Sequence, residues 1–111
     1  MTEPLIAPEV YAELAETMGA DFAAELVATF LSDAPNMIAD LKAAAAGGDA
    51  DGYRRAAHSI KSNADTFGAP ALAAQARAME LGGLPEGDPP LPALEATYAE
   101  TAVALKALAD A

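Results

Sequence analysis

The residue best able to do chemistry in this chain is its single histidine, His58. Its surroundings are unusual for the protein. The stretch from Tyr53 to Gly68 carries Arg54, Arg55 and Lys61, three of only six basic residues set against seventeen acidic ones. A helix turns by about 100° per residue. On that wheel Tyr53, Ala56, Ala57, Ile60, Ala64 and Phe67 share one apolar face suited to burial. His58 stands about 200° from Ile60, on the polar face with Arg54, Arg55, Lys61, Ser62 and Asp65. A neutral imidazole presents a nucleophilic nitrogen near pH 7. Cations one turn before it and one turn after suit a group that is negatively charged after reaction, such as a phosphoryl, held by charge-assisted hydrogen bonds. On spacing alone the competing reading is an ordinary solvated face, with the arginines balancing Asp49 and Asp51.

Other chemistries are poorly supplied. There is no cysteine and no second histidine. Disulfides, thiolate metal sites, histidine-paired zinc sites and diiron bundles built on Glu-x-x-His motifs are therefore not expected. No glycine-rich phosphate loop is present, so no ATP site is expected, and no serine sits in a nucleophile motif. The net charge of −11 argues against nucleic acid and anionic membranes as partners. The start, Met1-Thr2-Glu3-Pro4, is acidic and lacks a hydrophobic run, and no apolar stretch is long enough to span a bilayer. The cytoplasm is the expected compartment.

The elements that must hold His58 can be read from punctuation and period. One hundred and eleven residues suit one domain over 1–111. Alanine enrichment with few aromatics favours helices throughout. Residues 1–7 read as a frayed lead-in. Pro8 opens a short helix with Val10, Leu14 and Met18 at helical spacing, ending at Gly19. Asp21 is the expected N-cap of a longer helix that runs to Gly47-Gly48. Its main stripe is Phe22, Leu26, Phe30, Met37, Leu41 and Ala44, with Val27, Leu31 and Ile38 as a second row. Pro35 removes the bond to the Leu31 carbonyl, and a kink is expected there rather than a break. Asp49 or Asp51 caps the histidine helix, and Gly68 stands just past its end. Pro70 begins a fourth helix through about Leu81, with Leu72, Ala76 and Met79 inward. After a loop over 83–90 a last helix spans about 91–109, with Leu91, Leu94, Tyr98, Ala102, Leu105 and Leu108 on one face. The expected fold is all-α: an antiparallel up-down four-helix bundle with a short accessory N-terminal helix. A self-contained core of this kind implies a monomer.

The wording of the histidine helix decides between the two readings of its polar face. Arg55-Ala56-Ala57-His58-Ser59-Ile60-Lys61, followed by Ala64, Thr66-Phe67-Gly68-Ala69 and Leu72, resembles the histidine-containing phosphotransfer (HPt) domain, and within it the phosphotransfer domain of chemotaxis-type histidine kinases. The likeness is detailed from Tyr53 to Leu81, and the helix count and domain size suit the family more loosely. It implies that His58 is a phosphoacceptor, phosphorylated on Nε2, and that Lys61 neutralises the phosphoryl oxygens. It implies that Glu80, on the neighbouring helix, accepts a hydrogen bond from Nδ1–H and so fixes the tautomer. Arg55 would contact the phosphoryl. Arg54 and Arg77 would be docking or solvation charges. Implied partners are receiver domains of response regulators or a hybrid histidine kinase. Magnesium would belong to the receiver, and this chain would be a phosphoryl carrier with no cofactor, not an ATP-using enzyme.

Two positions depart from the family pattern. Ser62 stands where a glycine usually follows the lysine, and Asp65 where a small neutral residue is usual. Both lie on the docking side: Ser62 is a candidate for adjusting partner fit, and Asp65 is either a partner-selecting charge or a solvated acid that the position tolerates. The row Val27, Leu31 and Ile38 is a candidate apolar docking surface unless the first helix covers it. A helical adaptor that binds a receiver or kinase without taking phosphate is the competing function. A dimerising histidine-kinase fragment fits less well. Its phosphoacceptor motif has an acid just after the histidine and a proline a few residues on, where this chain has Ser59 and Ala64.

Overall fold

Glycine and proline divide the chain into its helices. The structure, a computed structural model, describes residues 3–110. Those residues form α1 (Pro8–Met18), α2 (Ala20–Ala46), α3 (Ala50–Thr66), α4 (Pro70–Gly82) and α5 (Leu91–Asp110), with no strand among them. Helices α2 to α5 make an antiparallel up-down four-helix bundle in which α3 packs between α2 and α4, and α5 closes the ring against both. The short α1 packs chiefly on α2. Among the described residues no helix is long and apolar enough to cross a membrane.

Two helix ends set where His58 lies. The Asp49 carboxylate accepts from the Gly52 amide at 2.9 Å and so caps α3, occupying one of the amides a helix start leaves open. At the other end Gly68 adopts φ +69°. The Ala69 amide donates to the Ala64 carbonyl at 2.9 Å and the Gly68 amide to that of Asp65 at 3.3 Å, a Schellman closure. Between these stops the predicted face of α3 is the buried one: Tyr53, Ala56, Ala57, Ile60, Ala64 and Phe67 all lie in the core.

Five expectations change. Of the frayed lead-in expected over residues 1–7, residues 1–2 lie outside the described residues, and residues 4–7 are not frayed. The Ala7 amide donates to the Gly68 carbonyl at 2.8 Å and the Ala71 amide to the Pro4 carbonyl at 3.0 Å, so this arm is tied to the α3–α4 turn. Asp21 is not the cap of α2. That helix starts at Ala20 behind Gly19, whose φ of 95° makes the turn, and Asp21 sits inside the first helical turn. In α1 the buried residue is Tyr11, while Met18, beside the Gly19 turn, is exposed. In α2 the buried seam is Ala23, Val27, Phe30, Ala34, Ile38, Leu41 and Ala44, and Phe22 is exposed. Alanines allow close helix approach but contribute little apolar area, so a stripe traced through large side chains misses them. Val27 and Ile38 are buried and Leu31 partly so, which removes that row as a docking surface.

Helix α2 runs unbroken through Pro35, and the reason lies on another helix. The proline leaves the Leu31 carbonyl without its helical donor. The Tyr98 hydroxyl, on α5, donates to that carbonyl at 3.4 Å. The Tyr98 ring also meets Phe30 edge-on at 6.3 Å, and Phe30 stacks on Phe67 at 5.3 Å, so one aromatic chain joins α5, α2 and the end of α3. Burial pushes the Tyr98 phenol pKa up, so its proton is retained for this bond. Tyr98→Phe is expected to cost about 1 kcal/mol in urea unfolding. The cost should shrink in a Pro35→Ala background, where position 35 regains an amide for Leu31. Equal costs in both backgrounds would show that the hydroxyl does not serve this carbonyl.

Candidate functional site

The phase of α3 turns His58 outward, and α4 supplies its partner. Its side chain is 56% exposed, whereas that of Glu80 is 26% exposed. Nδ1 of His58 lies 2.8 Å from Glu80 Oε2. A carboxylate only accepts hydrogen bonds, so Nδ1 carries the proton and donates it to Glu80. In a neutral ring the lone pair then resides on Nε2. The antiparallel packing of α3 on α4 makes this contact between residues 22 positions apart.

The cations do not form one ring around the imidazole. They divide between two recesses. Arg54 and Arg55 line the first together with His58, Asp51, Ser59 and Glu80. In it Arg54 is paired with Asp51 at 3.2 Å, one turn earlier, which leaves Arg55 as the cation of this recess without an ion pair among the described residues. Lys61 lines the second, with Asp65 and Arg77, against a wall of Pro70, Ala73 and Ala74. Lys61 is partly buried, not fully exposed as its wheel position predicts. Its aliphatic stem can cover the apolar surface of α4 while the charge stays hydrated. No ion pair within 4 Å joins Lys61, Asp65 and Arg77. Ser62 Oγ lies 3.4 Å from His58 Nε2, a contact that docking arguments from sequence had not placed at the imidazole. The i, i+4 spacing of His58 and Ser62 was the available signal. Arg77 beside Lys61 was the other neighbour missed, since only the pairing of α3 with α4 brings the two together. Among the described residues no group of three or more His, Asp or Glu is placed to hold a metal ion.

A helical bundle that holds one outward imidazole against a neighbouring carboxylate is the architecture of a phosphotransfer domain. Residues 25–110 match the Hpt domain family, and the chain belongs to it. Among solved structures it is similar to histidine-containing phosphotransfer protein B (HptB) from Pseudomonas aeruginosa PAO1. The TM-score is 0.76 and the identity 29%, over 98% of this chain and 94% of that one. Comparison with curated protein sequences found no match. The chain is thus a histidine phosphotransfer protein of a phosphorelay, in a family of phosphoryl carriers that work with receiver or kinase domains of two-component systems.

Proposed function

We propose that His58 accepts a phosphoryl group on Nε2 from the phospho-aspartate of a receiver domain, or from a kinase, and passes it to the aspartate of another receiver. The observation that carries this reading is the 2.8 Å contact of Nδ1 with Glu80, which commits the proton to one nitrogen and leaves the other as the nucleophile. His58 is also the chain's only histidine. In the forward step the Nε2 lone pair forms the N–P bond. The P–O bond to the aspartyl carboxylate breaks, and its electron pair stays on that carboxylate. The ring becomes cationic, and Glu80 stabilises the Nδ1–H. Lys61 and Arg55 approach the phosphoryl oxygens from the two recesses. The chain contributes a positioned nucleophile and positive charge, with magnesium held by the receiver and no cofactor of its own. It acts as a cytoplasmic monomer, and Arg54, Ser62 and Asp65 face the docked partner.

The test is incubation with a phosphorylated receiver, followed by assay for acid-labile, alkali-stable phosphate on this chain. Binding without phosphate uptake would replace the carrier reading with that of an adaptor. Lys61→Ala is expected to slow transfer by about 10- to 100-fold, the worth of one hydrogen bond to a charged group. The same change should lower stability by less than about 1 kcal/mol, since the stem is only partly buried. An unchanged transfer rate would remove Lys61 from the mechanism. Glu80→Ala should release the tautomer, so that nitrogen NMR shows both neutral forms of His58, and should slow transfer roughly tenfold. Retention of a single Nδ1–H form would show that Glu80 does not set it.

A further inference from the structure

Ser62 interacts with the reacting atom itself. In the neutral ring Nδ1–H of His58 donates to Glu80, so Nε2 can only accept. The Ser62 hydroxyl, 3.4 Å away, must therefore be the donor in this contact. A serine inside a helix has a ready alternative, the carbonyl four residues back. Thr66 takes that option, donating to the Ser62 carbonyl at 3.0 Å, and Asn63 donates to the Ser59 carbonyl at 2.8 Å. Ser62 instead directs its hydroxyl to the imidazole one turn before it.

We propose that Ser62 caps the nucleophilic nitrogen in the unphosphorylated state and so biases the protein toward giving its phosphoryl away. The inference rests on His58 being the phosphoacceptor. The lone pair that accepts from Ser62 is the pair that must attack phosphorus. Capture therefore requires the hydroxyl to leave first. Once the N–P bond exists Nε2 has no lone pair, and this hydrogen bond is absent. When a receiver takes the phosphoryl, the N–P electron pair returns to Nε2 and the cap forms again. A contact present only in the free state slows capture and favours release, and it leaves hydrolysis of the phosphohistidine unaffected. The long O···N distance and the exposed setting place its worth at the low end for a hydrogen bond, about a twofold effect on the capture rate.

The experiment compares the full chain with Ser62→Ala, which keeps helix propensity where Ser62→Gly would lower it. Phosphoramidate is the donor, because a small donor removes any effect of residue 62 on receiver docking. In this step the N–P bond to His58 forms, the donor's P–N bond breaks, and ammonia leaves. Ser62→Ala should speed uptake about twofold, leave phosphohistidine hydrolysis unchanged, and move the Nε2 nitrogen resonance of the free protein downfield. Unchanged uptake together with an unmoved Nε2 resonance would overturn the cap. A wild-type chain that takes phosphate from neither phosphoramidate nor a phosphorylated receiver would overturn the phosphotransfer reading of His58 as well. The nitrogen resonance needs no phosphorylation, so the two failures are distinguishable.

Discussion

His58→Gln is expected to abolish phosphate uptake while leaving the fold intact. A glutamine amide has no lone pair available for attack, because its nitrogen is conjugated to its carbonyl. No second histidine exists to take over. The residual signal should therefore be background, and not the partial rates expected of Lys61→Ala or Glu80→Ala. The side chain is more than half exposed, so the thermal midpoint should move little, within about 0.5 kcal/mol of stability. Glutamine can still donate to Glu80, which guards against leaving that half-buried carboxylate unpartnered. The measurement pairs radiolabelled transfer from a phosphorylated receiver with a melting curve on the same sample. Phosphate retained on the folded variant would place the acceptor elsewhere. Unfolding of the variant would show that His58 contributes to the bundle, contrary to its exposure.

Gly68→Ala should be the most destabilising of the substitutions considered, at about 2–5 kcal/mol. Two terms add. The left-handed backbone at φ +69° costs a residue with a Cβ about 1–2 kcal/mol. A Cβ there would also lie 2.6 Å from Val10 Cβ and 2.9 Å from the Ala7 carbonyl oxygen, so the arm and the start of α1 must move. Overpacking of this kind typically costs about 1–3 kcal/mol. For a domain of this size the sum corresponds to a fall of roughly 10–25 °C in the melting temperature. Gly48→Ala is the control. Its φ is +68°, but a Cβ there meets nothing within 4 Å, so it carries the backbone term alone. Amide exchange should show the Ala7 and Ala71 protons opening in Gly68→Ala and not in Gly48→Ala, because those amides bind the arm to the α3–α4 turn. Equal losses of stability in the two variants would mean that the arm adds nothing to the fold.

These two sites mark how far the chain can be read without its tertiary contacts. Local rules go far for α3. Gly68 and the 3.6-residue period settle its end and its inward face, and thereby turn His58 outward, while the choice of Asp49 over Asp51 as its cap came from the structure. They also place Pro70 at the start of α4 and Gly83 at its close. The role expected of Glu80 came from likeness to a family. Nothing in the spacing of 58 and 80 states that they touch, and the 2.8 Å contact depends on the register of α3 against α4. That register is set by the faces of two helices fitting together, and many of the residues in the seams are alanines: Ala56, Ala57, Ala73 and Ala76. A small side chain leaves little hydrophobic signal along a sequence while deciding how closely and at what offset two helices meet. The same limit explains the misplaced stripe of α2, where Ala23 and Ala34 are buried and Phe22 is not. It also explains the division of the cations, since Lys61 meets Arg77 only across that interface. The bond from Tyr98 to Leu31 and the bonds of the arm to Gly68 and Ala71 are of the same kind. Sequence by itself determined which residues form helices and which way the histidine faces, because helix phase and caps act within a few residues. Tertiary structure decided which groups meet the imidazole and what ties residues 4–7 to the α3–α4 turn, because those contacts join positions far apart in the chain through packed surfaces.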